Sequence, residues 1–502
     1  MSGSVDSLRL VRETLAANSM QQDLQKAWLQ PTSTPTGLQV YDLEAPAKLL
    51  YPVLTPLRNK IPRVGGGKGI QANWRAVTGI NTTKLSGGLG QGNRAGVIAQ
   101  TTMDYLAAFR GIGYDNYVTF EADMSAEGFQ DLKAVAVQSL LRSLMIEEEF
   151  LIIGGNGITG LGTTPTPTVT AIGSGGAIAS GVAAVIGCAA LTLEGYRNVT
   201  VSSGVPGSPA GVLVRANADG SSDTYGAGVA APSATATVTT GAASSSVSAH
   251  VAPVVGAFAY IWYAGLTTNL YCCAVTTVNS VLLTALPTSG QLFSALSGDN
   301  SVNPLVFNGF SAIAAAPGSG GYWAAQPNGV DGTGTPLTPD GSGGVVEIDA
   351  ALQSFWDNWK LSPSEMWVSS QEQNYIRRKV LTAPSGVTPL SRFVISTGGS
   401  DQLRGGTAVR GYTNPFGMGN AQEIPIKLHP NLPPGNIMFL TDELPYALND
   451  VQNVYQMKMR KEYHQIEWPL RTRKYEYGVY ADEVLQHYFP PSLGFITNIG
   501  KG

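Results

Sequence analysis

Four short stretches carry residue types that chemistry uses. Gly155-Asn156-Gly157-Ile158-Thr159-Gly160 has the glycine spacing of a dinucleotide-binding turn and follows an apolar run. Such a turn works only if a helix N-terminus follows to hold the pyrophosphate, with an acid about 20 residues on. Here Thr163–Val169 (TTPTPTV) follows, and it starts no helix. The segment reads as a flexible turn between domains. Gly65-Gly66-Gly67-Lys68-Gly69 sets a lysine among glycines, but a phosphate loop needs Ser or Thr directly after the lysine. Gly69 and Ile70 stand there instead, so this stretch reads as a hinge.

The four histidines, His250, His429, His464 and His487, lie far apart, none with a second ligand at metal spacing. They read as structural or surface residues. Glu147-Glu148-Glu149 could be paired catalytic carboxylates. At the C-terminal end of a predicted helix, however, they oppose its dipole and read as an interface or a solvated face. No GxSxG elbow and no Cys–His neighbourhood is present. The reading is a protein that is not an enzyme, with no cofactor and no metal.

The elements around these stretches have to account for the rest. The chain has 502 residues, room for two or three cores. Only 13% of residues are charged and the net charge is −4, which gives no basis for the many phosphate contacts of tight duplex binding. A nucleic-acid partner would be enclosed, not gripped. Three cysteines, two of them adjacent, make no disulfide framework and fit a reducing compartment. The first 15 residues carry Asp6, Arg9, Arg12 and Glu13, so a secretory signal is not expected. Phe150–Leu193 is uncharged, but its Gly, Ala, Ser, Thr and Pro content is not that of a membrane span.

Residues 1–65 hold an amphipathic stretch (Leu8, Val11, Leu15) and then six prolines between Pro31 and Pro62. Such a segment builds no core of its own and reads as an arm lying on something else. Residues 66–122 read as a long hairpin, with Ile70, Ala72, Trp74, Ala76 and Thr78 alternating, and a glycine-loaded tip at 81–96. Phe129, Leu132, Ala136, Leu140 and Leu144 predict a helix over 125–149, with Ser125 as N-cap.

Between Gly154 and Gly344 lysine vanishes and short Val/Thr/Ala/Tyr runs alternate with Gly/Pro/Ser turns. The pattern predicts an autonomous inserted β-sandwich over 161–290, followed by long loops over 291–344. In AFAYIWYAG (257–265), alternation predicts one parity buried, including Trp262, and the other at the surface. Beyond 345 helix and strand alternate: a helix at 347–360, a strand at 366–370 with a helix capped by Ser370 and Gln373, a strand over Ile424–Leu428, and a charged hairpin after Tyr455.

In this order the elements resemble the HK97-like major capsid fold of tailed phages. WVSSQEQNYIRRKVL (367–381) is similar to that family's strand-then-helix. EIPIKLHPNLPPGNIMFL (423–440) is similar to its strand–turn–strand, and VYADEVLQHYFPPSLGFI (479–496) to its closing segment. The resemblance implies an α+β fold with an N-terminal arm (1–65), an E-loop hairpin (66–122), and a peripheral domain with a long spine helix (123–160 and 451–488). It also implies an axial domain (291–450 and 489–502), interrupted by the 161–290 insertion, which resembles immunoglobulin-like modules of phage structural proteins.

The implied function is a virion shell subunit that assembles with itself into hexamers and pentamers around double-stranded DNA. Assembly would take place in the host cytoplasm, with scaffolding, portal and decoration proteins as further partners and no membrane. The residues implied at assembly interfaces are Trp74, Lys84, Gly88, Gly90, Arg94, Glu147, Glu148, Arg471 and Arg473. Some family members join an E-loop lysine to a peripheral asparagine, but Tyr455–Tyr488 holds no asparagine, so no such cross-link from Lys84 is expected. An arm beginning near Met1 leaves little room for a cleaved scaffolding segment. Two other readings are an encapsulin-like nanocompartment shell and a β-rich phage surface or adhesion protein. A large insertion disfavours the first; the missing signal and the long helix disfavour the second.

Overall fold

The computed structural model describes residues 51, 53–80, 90–94, 96–127, 131–267, 269–381, 409–416, 422–447 and 449–502. The expectations for residues 1–50, Lys84 and Gly88 fall outside these.

The charged C-terminal stretch forms the longest strand pair. β19 (Tyr455–Glu467) and β20 (Lys474–His487) are antiparallel. β4 (Arg110–Thr119) pairs antiparallel with the far edge of β20, and the two-residue β1 (Arg63–Val64) runs parallel to β19. Residues 110–119 therefore belong to this four-stranded sheet and not to the hairpin, which corrects the 66–122 boundary.

Across the sheet lies the spine helix α3 (Leu132–Gly154), 23 residues and about 35 Å long. Its N-cap is Asp131, whose Oδ1 accepts the amides of Lys133 and Ala134 at 3.0 and 3.1 Å. Ser125 is not the cap. It sits inside a separate short helix, α2 (Phe120–Ala126), started by Thr119, and its hydroxyl donates to the Glu121 carbonyl. Two competing N-caps split the predicted helix, and its true end lies at Gly154, more than a turn beyond Glu149. Ala136, Leu140 and Leu144 face the sheet, whereas Glu148 through Gly154 are buried all round.

A second layer is a six-stranded sheet in the order β14-β21-β18-β15-β17-β16. Its strands are β14 (Tyr322–Ala325), β15 (Glu365–Val368), β16 (Gly411–Asn414), β17 (Gln422–Leu428), β18 (Ile437–Leu440) and β21 (Gly494–Thr497). The helix Val346–Trp359 buries Ile348, Leu352 and Phe355 in the same cluster as Ile424, Phe439 and Ile496. Leu428 points out, 49% exposed. The following helix, Ser370–Leu381, is capped one residue earlier than the sequence suggested. Ser369 accepts the Gln371 amide and bonds Glu372, because Glu372, and not Gln373, stands three residues on.

The insertion has two larger antiparallel sheets and a small third one, β7 (Val212–Ala216) paired with β8 (Ser222–Gly226). Of the larger two, one holds β5 (Thr168–Ile172), β10 (Ser246–His250) and β13 (Ser280–Leu283); the other holds β6 (Ala183–Leu191), β9 (Ala236–Thr239), β11 (Ala259–Leu266) and β12 (Asn269–Thr276). Ile186, Cys188, Val247, Tyr260, Trp262 and Val281 fill the space between them. The four-stranded sheet is covered on its other face too, where Ile261 and Tyr263 pack with Val199, Val205, Val229 and Leu296. Tyr260, Trp262 and Tyr263 are thus all buried, which corrects the split by parity. That second cover includes residues to Asn300, whose backbone bonds Val229, so the insertion extends past 290.

Nor is the insertion set apart by flexible linkers. Asn156 is buried, holding Thr159 and the Ser301 carbonyl, while the Gly309 amide donates to the Gly155 carbonyl. At Gly154 a Cβ would lie 2.4 Å from Leu193 Cδ2, so only glycine lets the helix end meet the insertion. Phe258 leaves the insertion to pack edge-on against Trp323 and Phe495 of the six-stranded sheet, at 5.8 and 5.9 Å. Asn279 and Asn498 exchange two hydrogen bonds of 2.6 and 2.9 Å in a buried site.

Candidate assembly surfaces

The hairpin of β2 (Gln71–Ile80) and β3 (Gln100–Ala108) forms a two-stranded sheet of its own. Its register pairs Ala72 with Ala107, Trp74 with Tyr105 and Ala76 with Met103 on one face. Ala72 and Ala107 pack on the main core, and Trp74 stacks on Tyr105 at 5.8 Å and meets Tyr488 edge-on. The opposite face carries Val77 and Leu106, 58% and 60% exposed, around the Arg75–Asp104 ion pair of 2.6 Å. Ile70, Val97, Ile98 and Met103 are also exposed. Isolated two-stranded hairpins are marginal in water. This one exposes the apolar side chains that a neighbour would cover.

The hinge at its root is tightly specified. A Cβ on Gly67 would stand 2.6 Å from the Phe109 ring and 2.9 Å from the Met459 carbonyl, and the Gly67 amide donates to that carbonyl. The backbone at this glycine is stitched to β19.

A buried charge node fastens the segment that precedes the hairpin. Glu149 on α3 accepts the Leu57 and Arg58 amides at 2.9 and 2.6 Å, capping the helix α1 (Pro56–Lys60), and faces His429 Nε2 at 2.6 Å. Glu148 takes Arg58 Nε at 2.9 Å, Arg63 and the Tyr463 hydroxyl. Burial, and then the Glu148 charge, push the neighbouring Glu483 carboxyl up to about 8. Both acids are fully buried within the chain, so the interface or solvated-face reading of Glu148 and Glu149 is corrected. They lie inside the helix, where partners from α1, β1 and β19 close over them.

The other sequence-derived interface residues are not gathered in one place. Glu147 forms a two-point ion pair with Arg197 at 2.8 and 3.0 Å, tying the spine helix to the insertion. Arg473 pairs with Glu121 at 3.0 Å at the exposed end of the β19–β20 sheet, and Arg471 is exposed beside it. Gly90 and Arg94 lie exposed in the loop beyond β2. Trp74 faces the body at the base of the hairpin. Arg58, Arg63 and Tyr463 escaped the sequence reading, and His429 was read there only as a structural or surface residue; the one available signal was three consecutive acids on a helix whose flanks are apolar.

Among the described residues no group of three or more His, Cys, Asp or Glu is placed to hold a metal ion, and no helix is long and apolar enough to cross a membrane.

No protein-family model and no curated protein sequence matches the chain. Among solved structures, it is similar to the capsid of a native GTA particle, with 7% identity, a TM-score of 0.42, and 92% of this chain and 96% of that one covered. The capsid of cyanophage A-1(L) aligns with 10% identity and a TM-score of 0.40, covering 93% and 98%. An encapsulin complex from Synechococcus elongatus aligns with 9% identity and a TM-score of 0.35, covering 90% and 93%.

Proposed function

We propose that this chain is the major capsid protein of a tailed double-stranded-DNA phage, built on the HK97-like plan and assembling with itself into the hexamers and pentamers of an icosahedral head. The observation that carries the reading is the β2–β3 hairpin. It reaches out from the peripheral sheet with Val77, Met103 and Leu106 exposed, and its root is fixed at Gly67. Beside it stands a long helix braced across an antiparallel sheet, with a six-stranded axial layer beyond. That combination supplies a rigid wedge and an overlapping strap, the two parts a closed shell needs from one subunit.

In this reading the hairpin tip, with Lys84, Gly88, Gly90 and Arg94, overlaps a neighbouring subunit, and Arg471 and Arg473 lie near the same contact. The insertion sits on the outer side, since packaged DNA and curvature leave little room within. The DNA is enclosed with weak contact, in keeping with the net charge of −4.

Electron microscopy of the purified full-length chain tests this directly. Closed particles with fivefold and sixfold capsomers are expected, and nuclease-resistant DNA inside particles from infected cells separates a phage head from a cargo-holding compartment. A monodisperse monomer under assembly conditions would contradict the proposal.

A further inference from the structure

Between the base of the hairpin, the short helix Phe310–Ala315 and the end of β20 lies a cleft of about 250 Å³. Its walls are mainly apolar, with Val306, Phe307 and Ile313 among them. The Trp74 indole, the His487 imidazole and the Arg110 guanidinium line it, beside Asn308, whose Oδ1 accepts the Gly157 amide at 2.9 Å. No Asp or Glu does.

The indole, imidazole and guanidinium donors are each unpaired. Trp74 Nε1 and His487 Nε2 are buried without a hydrogen-bond partner. The His487 ring is enclosed by Phe310 and Tyr455, and its Nδ1 accepts the Phe489 amide at 3.2 Å. Burial pushes its pKa down to about 3, so the ring is neutral, and its single proton is therefore on Nε2. Nε2 and the indole are then both N–H groups with nothing to donate to. Arg110 is half-buried, and among the described residues its guanidinium has no acceptor or carboxylate partner. Buried donors without acceptors cost about 1–3 kcal/mol each, and the residues that carry these two line one cleft with a cation.

We propose that this cleft binds a small carboxylate with an apolar body, of the size of a medium-chain alkanoate. The carboxylate oxygens accept from the Trp74 indole and His487 Nε2 and pair with Arg110, while the hydrocarbon lies on Val306, Phe307 and Ile313. An amine with the same body would set a cation against three donors, so the site discriminates by charge. Binding would also couple the hairpin to the body, because Trp74 belongs to the hairpin and His487 to β20. The site stands apart from the shell reading and does not depend on it.

The test is calorimetric titration of the full-length soluble chain with octanoate and, separately, with n-octylamine, alongside melting temperatures. Saturable octanoate binding that raises the melting temperature, with none for the amine, is expected. Arg110→Gln and Trp74→Phe, each checked for an unchanged circular-dichroism spectrum, should weaken octanoate at least tenfold; His487→Phe should do the same if it folds. Absence of saturable octanoate binding, equal binding of the amine, or undiminished binding by the two folded variants would each overturn the site.

Discussion

The insertion and the hairpin are both β additions to a helix-and-sheet body, yet they are held in opposite ways. The insertion buries both faces of its main sheet and then locks onto its host through Leu193, Phe258 and the Asn279–Asn498 pair. The hairpin buries only the root of one face and leaves the other, with Val77 and Leu106, to solvent. A change of composition therefore does not mark a separable module, and a polar, glycine-rich tip does not mark a dispensable one. What counts is whether apolar area is covered within the chain or left for another.

The difference can be broken at its strongest point by replacing Thr163–Ser289 with a short Gly/Ser linker. An autonomous insertion would tolerate this and still give particles. With Phe258 and Leu193 gone, Trp323, Phe495 and the end of the spine helix lose their cover, so insoluble or unfolded protein is expected; a soluble subunit with a cooperative melt would restore the removable module. Phe258→Ala is the milder form of the same test. It empties a fully packed aromatic site and should cost about 3–5 kcal/mol in denaturant unfolding. A loss below about 1 kcal/mol would mean that the joint is loose.

The joint should also respond to pH through Glu194. Burial raises its carboxyl to about 7, against the opposing hydrogen bond from Asn303. A carboxyl raised in the folded state favours folding below its unfolded pKa, and that contribution fades as pH climbs through about 7. Wild-type stability should thus fall between about pH 4.5 and 7 relative to Glu194→Gln. Parallel curves for the two proteins would sink this assignment. At the small end of the scale, Leu106→Ser on the exposed hairpin face should change unfolding free energy by about 0.5 kcal/mol or less, yet impair particle formation. A large loss of subunit stability would show that the hairpin is already covered.

Much of the architecture was legible because it rests on local periodicity. The 3.6-residue spacing of Ala136, Leu140 and Leu144, and the paired strands after Tyr455, follow from side-chain direction alone. Helix starts were less legible, since Thr119, Ser125 and Asp131 all have capping side chains and only the tertiary path selects among them. The charge node was not legible. Glu148 finds Arg63 85 residues away and Tyr463 315 residues away, so burial of an acidic run could not be read from its neighbours. Likewise the burial of Tyr263 depends on a second layer supplied by residues near 199–229 and 296. Alternation put Trp74 on one face of the hairpin, but that this face turns toward the body, against Tyr488, required the register.

The claim that the hairpin's missing partner is a second copy of the chain is tested most directly by amide hydrogen exchange on β2 and β3, in free subunits and in assembled particles. The amides of Gln100–Ala108 should exchange quickly in the free subunit, well ahead of those of β19 and β20, and become protected on assembly. Equal protection of the two strand pairs in the free subunit, or fast exchange of the hairpin in the particle, would contradict it.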